Sequence, residues 1–559
     1  MPRTRPGRRP TVDGRRSRQG GLVRQEKTVP QLLDHWADVR PDRRFLTVGE
    51  VDRSYGEVRD EAWRLAGVLA ARGIAVGDRV AVMAPTSIQS ITSLLAVTGL
   101  GAIPVPLNIY LKGDPLLHQL TSSGCTALVA DVAGIQMVRG LVSELPDLRL
   151  IVQVDGIGEG IGIADVDIVS YTELVAEETD FAPVSANDAD VYTILYTSGT
   201  TGLPKGCVIS HGMTKHWSRY TEKLSALVDS DVIFTAAPLF HVGGQTPLLG
   251  ALSLGIPVVL ESGFSASRYL SRATEVGATV AVGVGWIAQA LLKQPASPAD
   301  RSHTLRAMST VQLSVAEQEQ FEQRFGIRAL TRQYGQTECY PISYNTFEEQ
   351  GVSPYAGKPA PELDVEFHDE QGRSVPAGEV GEIVVRPRVP HAMFERYWGD
   401  DAGTVEAFRG LWFHTGDMGR LVDGEIQYVD RKKDSMRRRG ENVSAFELER
   451  TLSRATGVIE VAVHGVEVDG ELDQAIKACL VVAEPERFDM AGLASYMASE
   501  LPYFAVPQFV ELLPELPRNA AGRVMKDQLR RIGISSRTRD LVAMGLGVTR
   551  EQRRASAHS

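Results

Sequence analysis

The chain has 559 residues, 43% apolar and 23% charged, an ordinary balance for a soluble globular protein and far from that of a disordered one. That length exceeds what one hydrophobic core supports, so at least two domains are expected. A formal net charge of -11 excludes the broad basic surface that duplex nucleic acid requires, and no apolar run reaches the roughly 20 residues that cross a bilayer.

Residues 1–27 carry Arg3, Arg5, Arg8, Arg9, Arg15, Arg16, Arg18 and Arg24 among Gly, Pro and Ser. With hardly an apolar residue to bury, the segment reads as a disordered basic tail or a start codon placed too early; the rival is an organellar transit peptide. From Thr28 to about Asp155 short Val- and Ile-rich runs such as Arg79–Met83 and Ile103–Leu107 alternate with helical-period segments such as Ile88–Val97, the rhythm of βαβ units. The alternation resumes after Asp190, so a large α/β region with mostly parallel sheets is expected over residues 28–432, with Gly378–Val385 and Gly424–Val429 as strands of a small β subdomain. Residues 433–535 read as a smaller α+β domain: a helix from Ser444 to Arg454, strands at Val458–Val466 and Ala475–Val482, a helix from Met490 to Leu501 and a strand near Gln508–Leu513. The Arg- and Ser-rich residues 536–559 read as a frayed tail. Cys125, Cys207, Cys339 and Cys479 show no paired spacing, which fits a reducing cytoplasm and no zinc or disulfide framework.

The chemistry concentrates first in YTSGTTGLPKG, Tyr196–Gly206, directly after an apolar strand. Gly199 and Gly202 let the backbone approach phosphate oxygens, Thr197, Ser198, Thr200 and Thr201 offer hydroxyls, and Lys205 brings a positive charge. The spacing is not GxxxxGK[ST], so the common mononucleotide P-loop is excluded.

This loop resembles the signature of the adenylate-forming superfamily of acyl-CoA synthetases, peptide-synthetase adenylation domains and luciferase. PLFHVGG at Pro238–Gly244, YGQTE at Tyr334–Glu338, WFHTGD at Trp412–Asp417 and DRKKDSMRRRGENVSAFELE at Asp430–Glu449 follow in that superfamily's order. Within it, GENVSAFELE and LKGDPLLHQL at Leu111–Leu120 look most like the crotonobetaine/carnitine CoA ligase branch. The resemblance implies that a carboxylic acid attacks the α-phosphate of ATP, pyrophosphate leaves, and the acyl-adenylate passes its acyl group to coenzyme A with release of AMP.

Residue by residue, the resemblance implies that Tyr334 and Gly335 lie against adenine, Thr337 bonds the α-phosphate, and Glu338 holds Mg²⁺. It implies that Asp417 accepts from the ribose hydroxyls with Arg431 assisting. His241, Gly243, Gly244, Trp286 and Gln333 would line the acyl pocket, and Lys433 would be the hinge of a mobile C-terminal domain. Arg439, Gly440 and Glu441 would serve coenzyme A.

Two departures stand out. The family places a catalytic lysine in a GK-x-x-R string, whereas this chain has GRVMK, so either Arg523 supplies the cation, or Lys526 does, or adenylation is slow. Ser309–Leu313 replaces a Gly-Gly-Ala-Pro-like strand, with larger side chains beside the base or acyl pocket. The alternatives are an acyl-AMP ligase that loads a separate acyl carrier protein, and a non-catalytic acyl or nucleotide sensor.

Overall fold

The computed structural model describes residues 27–155, 162–197, 204–283, 285–311, 313–432, 435–438, 441–468, 474–501, 505–518 and 524–547. Two compact units emerge. The first holds the described residues of Met1–Pro354, Ala360–Leu363 and Pro387–Thr404; the second holds those of Tyr355–Pro359, Asp364–Arg386 and Val405–Ser559.

In the first unit, β-branched runs become strands buried on both faces, as parallel sheets require. A five-stranded sheet runs in the order Ile103–Pro106, Arg79–Met83, Cys125–Ala130, Leu150–Gln153, Asp167–Ser170, with every pairing parallel. A seven-stranded sheet is parallel from Arg328–Leu330 through Ala307–Ser309, Val280–Val282, Ile233–Thr235 and Val258–Leu260 to Arg44–Val48. Only the edge strand Val51–Ser54 is antiparallel. The helix Ile88–Gly99, capped by Ser87, is buried on nearly all sides, which explains its continuous apolar character. Among the described residues no helix is long and apolar enough to cross a membrane.

The second unit contains a four-stranded sheet, in the order Leu363–His368, Gly381–Pro387, Phe413–Val422, Glu425–Arg431. The boundary at residue 432 expected from sequence assigned these strands to the large domain; by compactness they group with the C-terminal residues. Beyond them, Val458–Val466 and Ala475–Val482 pair antiparallel as expected, with Phe509–Leu512 parallel to the latter. The period of two decides which face each residue serves. Ala478, Leu480 and Val482 pack under the helices Ala445–Leu452 and Met490–Glu500, while Cys479 meets Leu529 of the helix Lys526–Ile532 on the other face.

The frayed tail needs correction over its described part. Arg539–Asp540 adds a fourth, antiparallel strand, and Leu541 is buried in the core of this sheet. Ser535 and Thr538 donate to Glu511, whose carboxylate also takes the buried Lys477 ammonium at 2.5 Å. Arginine-rich composition hid one apolar anchor and two hydroxyls.

Three histidines have been stripped of solvent: burial pushes the pKa of His211, His241 and His464 down to about 4. In the unfolded chain they titrate near 6.5, so between those values the unfolded state binds protons that the native state refuses. Their stabilising contribution is therefore complete above about pH 6.5 and falls as pH drops toward 4, by up to about 1.4 kcal/mol per pH unit for each group. Urea midpoints should fall steadily from pH 7 to pH 5, and His211→Gln with His464→Gln should flatten that slope. An unchanged slope would remove histidine burial as its cause.

Candidate active site

The expected phosphate loop joins two antiparallel strands rather than a strand and a helix. Val191–Thr197 pairs with Lys205–Ser210 so that Thr197 and Lys205 stand opposite each other at the loop end of the hairpin. Ser198, Gly199, Thr200, Thr201 and Gly202 lie outside the described residues. The stem is anchored on the helix Asp114–Ser123: Tyr196 shares a 2.6 Å hydrogen bond with Ser122 and donates to the Gln119 carbonyl, and His118 Nε2 donates to the Pro204 carbonyl at 2.9 Å.

A second hairpin, Gln333–Gln336 with Cys339–Tyr344, is paired up to Gln336 and Cys339, leaving Thr337 and Glu338 at its tip. Gly335 is required by space, because a Cβ there would lie 2.6 Å from the Tyr340 ring and 3.0 Å from the Cys339 carbonyl. Tyr334 is half-buried one residue earlier. Gln333, expected in the acyl pocket, instead has its amide engaged within the protein. Nε2 donates to Ser309 Oγ at 2.9 Å and to the Leu330 carbonyl at 2.8 Å, while Oε1 accepts from Tyr220 and Tyr340. Ser309, at the end of the strand Ala307–Ser309, thus helps hold the hairpin.

Tyr397 brings the two hairpins together. Its hydroxyl donates to Glu338 Oε1 at 2.9 Å, and its ring lies 4.7 Å from Lys205 Nζ. Lys205 also pairs with Asp400 at 3.1 Å, whose carboxyl is held below its usual range by the Gly403 N–H and by Lys205. The Glu338 backbone is fixed by the Phe394 N–H at 2.8 Å. Burial, with Glu338 nearby, pushes the Cys207 thiol well up, so it stays protonated and is no nucleophile. Sequence reasoning missed Tyr397 and Asp400, because nothing in the RYWGDD string marks them until their partners are known.

His241 precedes the helix Val242–Leu254, its ring tilted against Phe240 with centroids 4.7 Å apart and its imidazole neutral through burial. Gly244 has no room for a side chain, since a Cβ would lie 2.2 Å from the Pro238 carbonyl oxygen, whereas Gly243 is open. Trp286 is half exposed, edge-on to Phe264.

In the second unit, Asp417 is buried opposite Arg431, and Arg431 Nε lies 3.1 Å from Asp417 Oδ1. Lys526 starts its helix with Nζ 2.7 Å from Glu449 Oε1. Glu449 also accepts the Val463 N–H, and burial keeps its carboxyl raised in spite of Lys526. Lys433, Arg439, Gly440 and Arg523 lie outside the described residues; Glu441 is described only as backbone, paired with Arg438.

With this geometry in hand, residues 33–398 match the family model described as AMP-binding enzyme, and residues 447–523 match the one described as AMP-binding enzyme C-terminal domain. The chain belongs to the AMP-binding enzyme family. Crotonobetaine/carnitine–CoA ligase of Salmonella heidelberg (strain SL476) is 34% identical over 517 residues, covering 90% of this chain and 99% of that protein. Among solved structures, ATP-bound MatB from Rhodopseudomonas palustris aligns with a TM-score of 0.79 at 25% identity, over 90% of this chain and 99% of that one. The anthranilate CoA ligase AuaEII in complex with anthranoyl-AMP shares the fold, with a TM-score of 0.80 at 24% identity over 91% and 97%. This family member is an acid–thiol ligase.

Tyr397→Phe isolates one link of the cluster, since the ring beside Lys205 stays and only the hydroxyl on Glu338 is lost. A hydrogen bond to a charged group is worth about 1.5–3 kcal/mol. Acid-dependent pyrophosphate release should fall about tenfold or more in kcat/KM and need more Mg²⁺ for half-saturation. Parent activity at every Mg²⁺ concentration would show that the hydroxyl does not orient Glu338.

Proposed function

We propose that the polyphosphate of ATP and its metal are received in the first unit by Lys205, Thr197 and the loop Ser198–Gly202 on one hairpin and by Thr337 and Glu338 on the other. The observation that carries this reading is Tyr397, which holds Glu338 by its hydroxyl while its ring attends Lys205, so that one carboxylate and one ammonium are kept side by side without neutralising each other. The donor set suits Mg²⁺. Glu338 offers a hard carboxylate oxygen, and among the described residues no three His, Cys, Asp or Glu gather into a metal cage. One carboxylate completed by substrate phosphates is the arrangement Mg²⁺ favours. When bound, it supplies neutralisation of phosphate charge. Lys205 stabilises the charge that builds on departing pyrophosphate, and Thr337 orients the α-phosphate for attack by the substrate carboxylate. Tyr334 and Gly335 face adenine, and Asp417 with Arg431 takes the ribose.

In this reading coenzyme A is the acceptor, with Gly440, Glu441 and Arg439 serving it and Lys433 as the hinge of a mobile C-terminal domain; an acyl carrier protein is the alternative acceptor. His241, Gly243, Gly244 and Trp286 line the acyl side, where a neutral imidazole presents no fixed charge to the acid. A cytoplasmic location suits four unpaired, buried cysteines. Crotonobetaine and carnitine, named for the 34% identical relative, belong in the first panel of carboxylic acids. Pyrophosphate release that requires a particular acid, followed by thioester formation with coenzyme A, supports the reading; release of orthophosphate with retained ADP sinks it.

The pairing of Lys526 with Glu449 supports Arg523 as the cation of the first half-reaction. Losing one preorganised donor to the transition state costs on the order of 3 kcal/mol, about a hundredfold in rate. Arg523→Ala should therefore slow acyl-adenylate formation about a hundredfold while a supplied acyl-adenylate still reacts with coenzyme A. Lys526→Met should leave adenylation within a few-fold of the parent and lower the urea midpoint, since Glu449 would stay buried without its cation. The reverse pattern would transfer the role to Lys526.

A further inference from the structure

Glu382 stands in the middle of the strand sheet of the second unit, and nothing so far gives it a task. It is 3% exposed, a costly place for a carboxylate unless it is surrounded by donors. Lys432 Nζ lies 2.9 Å away, His414 Nδ1 3.1 Å and an Arg409 guanidinium nitrogen 3.4 Å. Burial alone would raise its pKa; Lys432 and His414 outweigh that and hold it low.

The contacts close into a ring. Glu382 Oε1 accepts the Gly416 N–H at 3.2 Å, the Gly416 carbonyl accepts the Lys432 N–H at 2.9 Å, and the Lys432 ammonium returns to Glu382 Oε2. Gly416 has φ +68, a left-handed conformation that presents both its backbone groups to this ring at little steric cost. On the neighbouring side, the Thr415 hydroxyl donates to the Ile383 carbonyl and accepts the Asp417 N–H. The bulged stretch of strand that carries Asp417 is thus gripped by Glu382 and Ile383 from one neighbouring strand and by Lys432 at the end of the other.

We propose that Glu382 is a positioning residue for the nucleotide: its carboxylate locks the Thr415–Asp417 bulge of the strand Phe413–Val422 to the strand end at Lys432 and so aims Asp417 at the ribose hydroxyls. The inference rests on the ribose role of Asp417 given above. A residue that only stabilised the sheet would weaken every ligand alike, whereas one acting through Asp417 must weaken only ligands that carry ribose hydroxyls.

AMP and 2′,3′-dideoxy-AMP, compared by calorimetry on the full-length enzyme, make that distinction without knowledge of the acid. The parent should bind AMP at least tenfold tighter than the dideoxy analogue. Glu382→Gln should weaken AMP about tenfold and the analogue less than twofold. Lys432→Met should act in the same sense about threefold, and add less than twofold on top of Glu382→Gln, because both break the same ring. Equal weakening of both ligands, or unchanged AMP binding in a variant that melts like the parent, overturns the proposal. Should Glu382→Gln fail to fold, Lys432→Met alone decides, by the same selective loss or its absence. A parent blind to the ribose hydroxyls would remove the role of Asp417, and this inference with it, while leaving the acid-dependent release of pyrophosphate untouched.

Discussion

Opposite charges kept close together without quenching one another are the constraint on which the proposed phosphate site depends. Left to themselves, a neighbouring lysine and glutamate would pair directly, leaving neither for another ion. Tyr397 prevents this by standing between them, its hydroxyl occupied by Glu338 and its ring face toward Lys205. A ring face attracts a cation only weakly where water has access, about 0.5–1 kcal/mol, so Lys205 remains available to a stronger anion. Its partner Asp400 is itself part-exposed, and exposed pairs contribute little. Asp400 therefore parks the ammonium rather than retaining it.

The second unit answers the same problem in the opposite manner. Three of its carboxylates are buried or mostly buried and well supplied with donors: Glu511 by Lys477, Ser535 and Thr538, Glu382 by Lys432 and the Gly416 N–H with His414 3.1 Å away, Glu449 by Lys526 and the Val463 N–H. Buried ion pairs of this kind are poor sources of net stability but strict about geometry, because displacing one partner leaves the other unsolvated. That strictness suits the bulged strand that, in the proposed reading, holds Asp417 in one orientation.

Much of the fold was legible because the local signals agreed with the tertiary outcome. Val458–Val466 and Ala475–Val482 are β-branched runs bounded by turn residues, and they form strands with the expected ends. The motif residues Lys205, Thr337, Glu338 and Asp417 were legible for another reason: each sits at a strand end, a hairpin tip or, for Asp417, a bulge beside a left-handed glycine, where backbone geometry demands particular residues and leaves a recurrent string. Tyr397, Asp400 and Glu382 carry no such string. Their roles arise from partners about 20 to 200 residues away, which periodicity and spacing do not record. Gln333 misled for the same reason, since a polar residue beside a motif reads as pocket lining until Ser309 and Tyr220 are seen to claim its amide. The docking of Leu541 was masked by the arginines around it, whose charge reads as solvated tail although Arg539 lies in the strand that carries Leu541 to the sheet.

The exchange of lysine for arginine at position 523 gains a physical logic from Glu449. A lysine three residues on, at Lys526, is drawn at 2.7 Å to a carboxylate whose burial makes the loss of that cation expensive, so the nearby ammonium is committed. The residue that reaches the substrate must then be one that Glu449 does not need. A guanidinium meets that condition and adds a planar fork able to bond a carboxylate and a phosphate oxygen at once, where an ammonium offers a point charge. Its weaker hydration also lowers the cost of entering a closed site. Under this account the swap divides two tasks between two cations: Lys526 holds the helix Lys526–Ile532 against the helix Ala445–Leu452, and Arg523 is left for the chemistry.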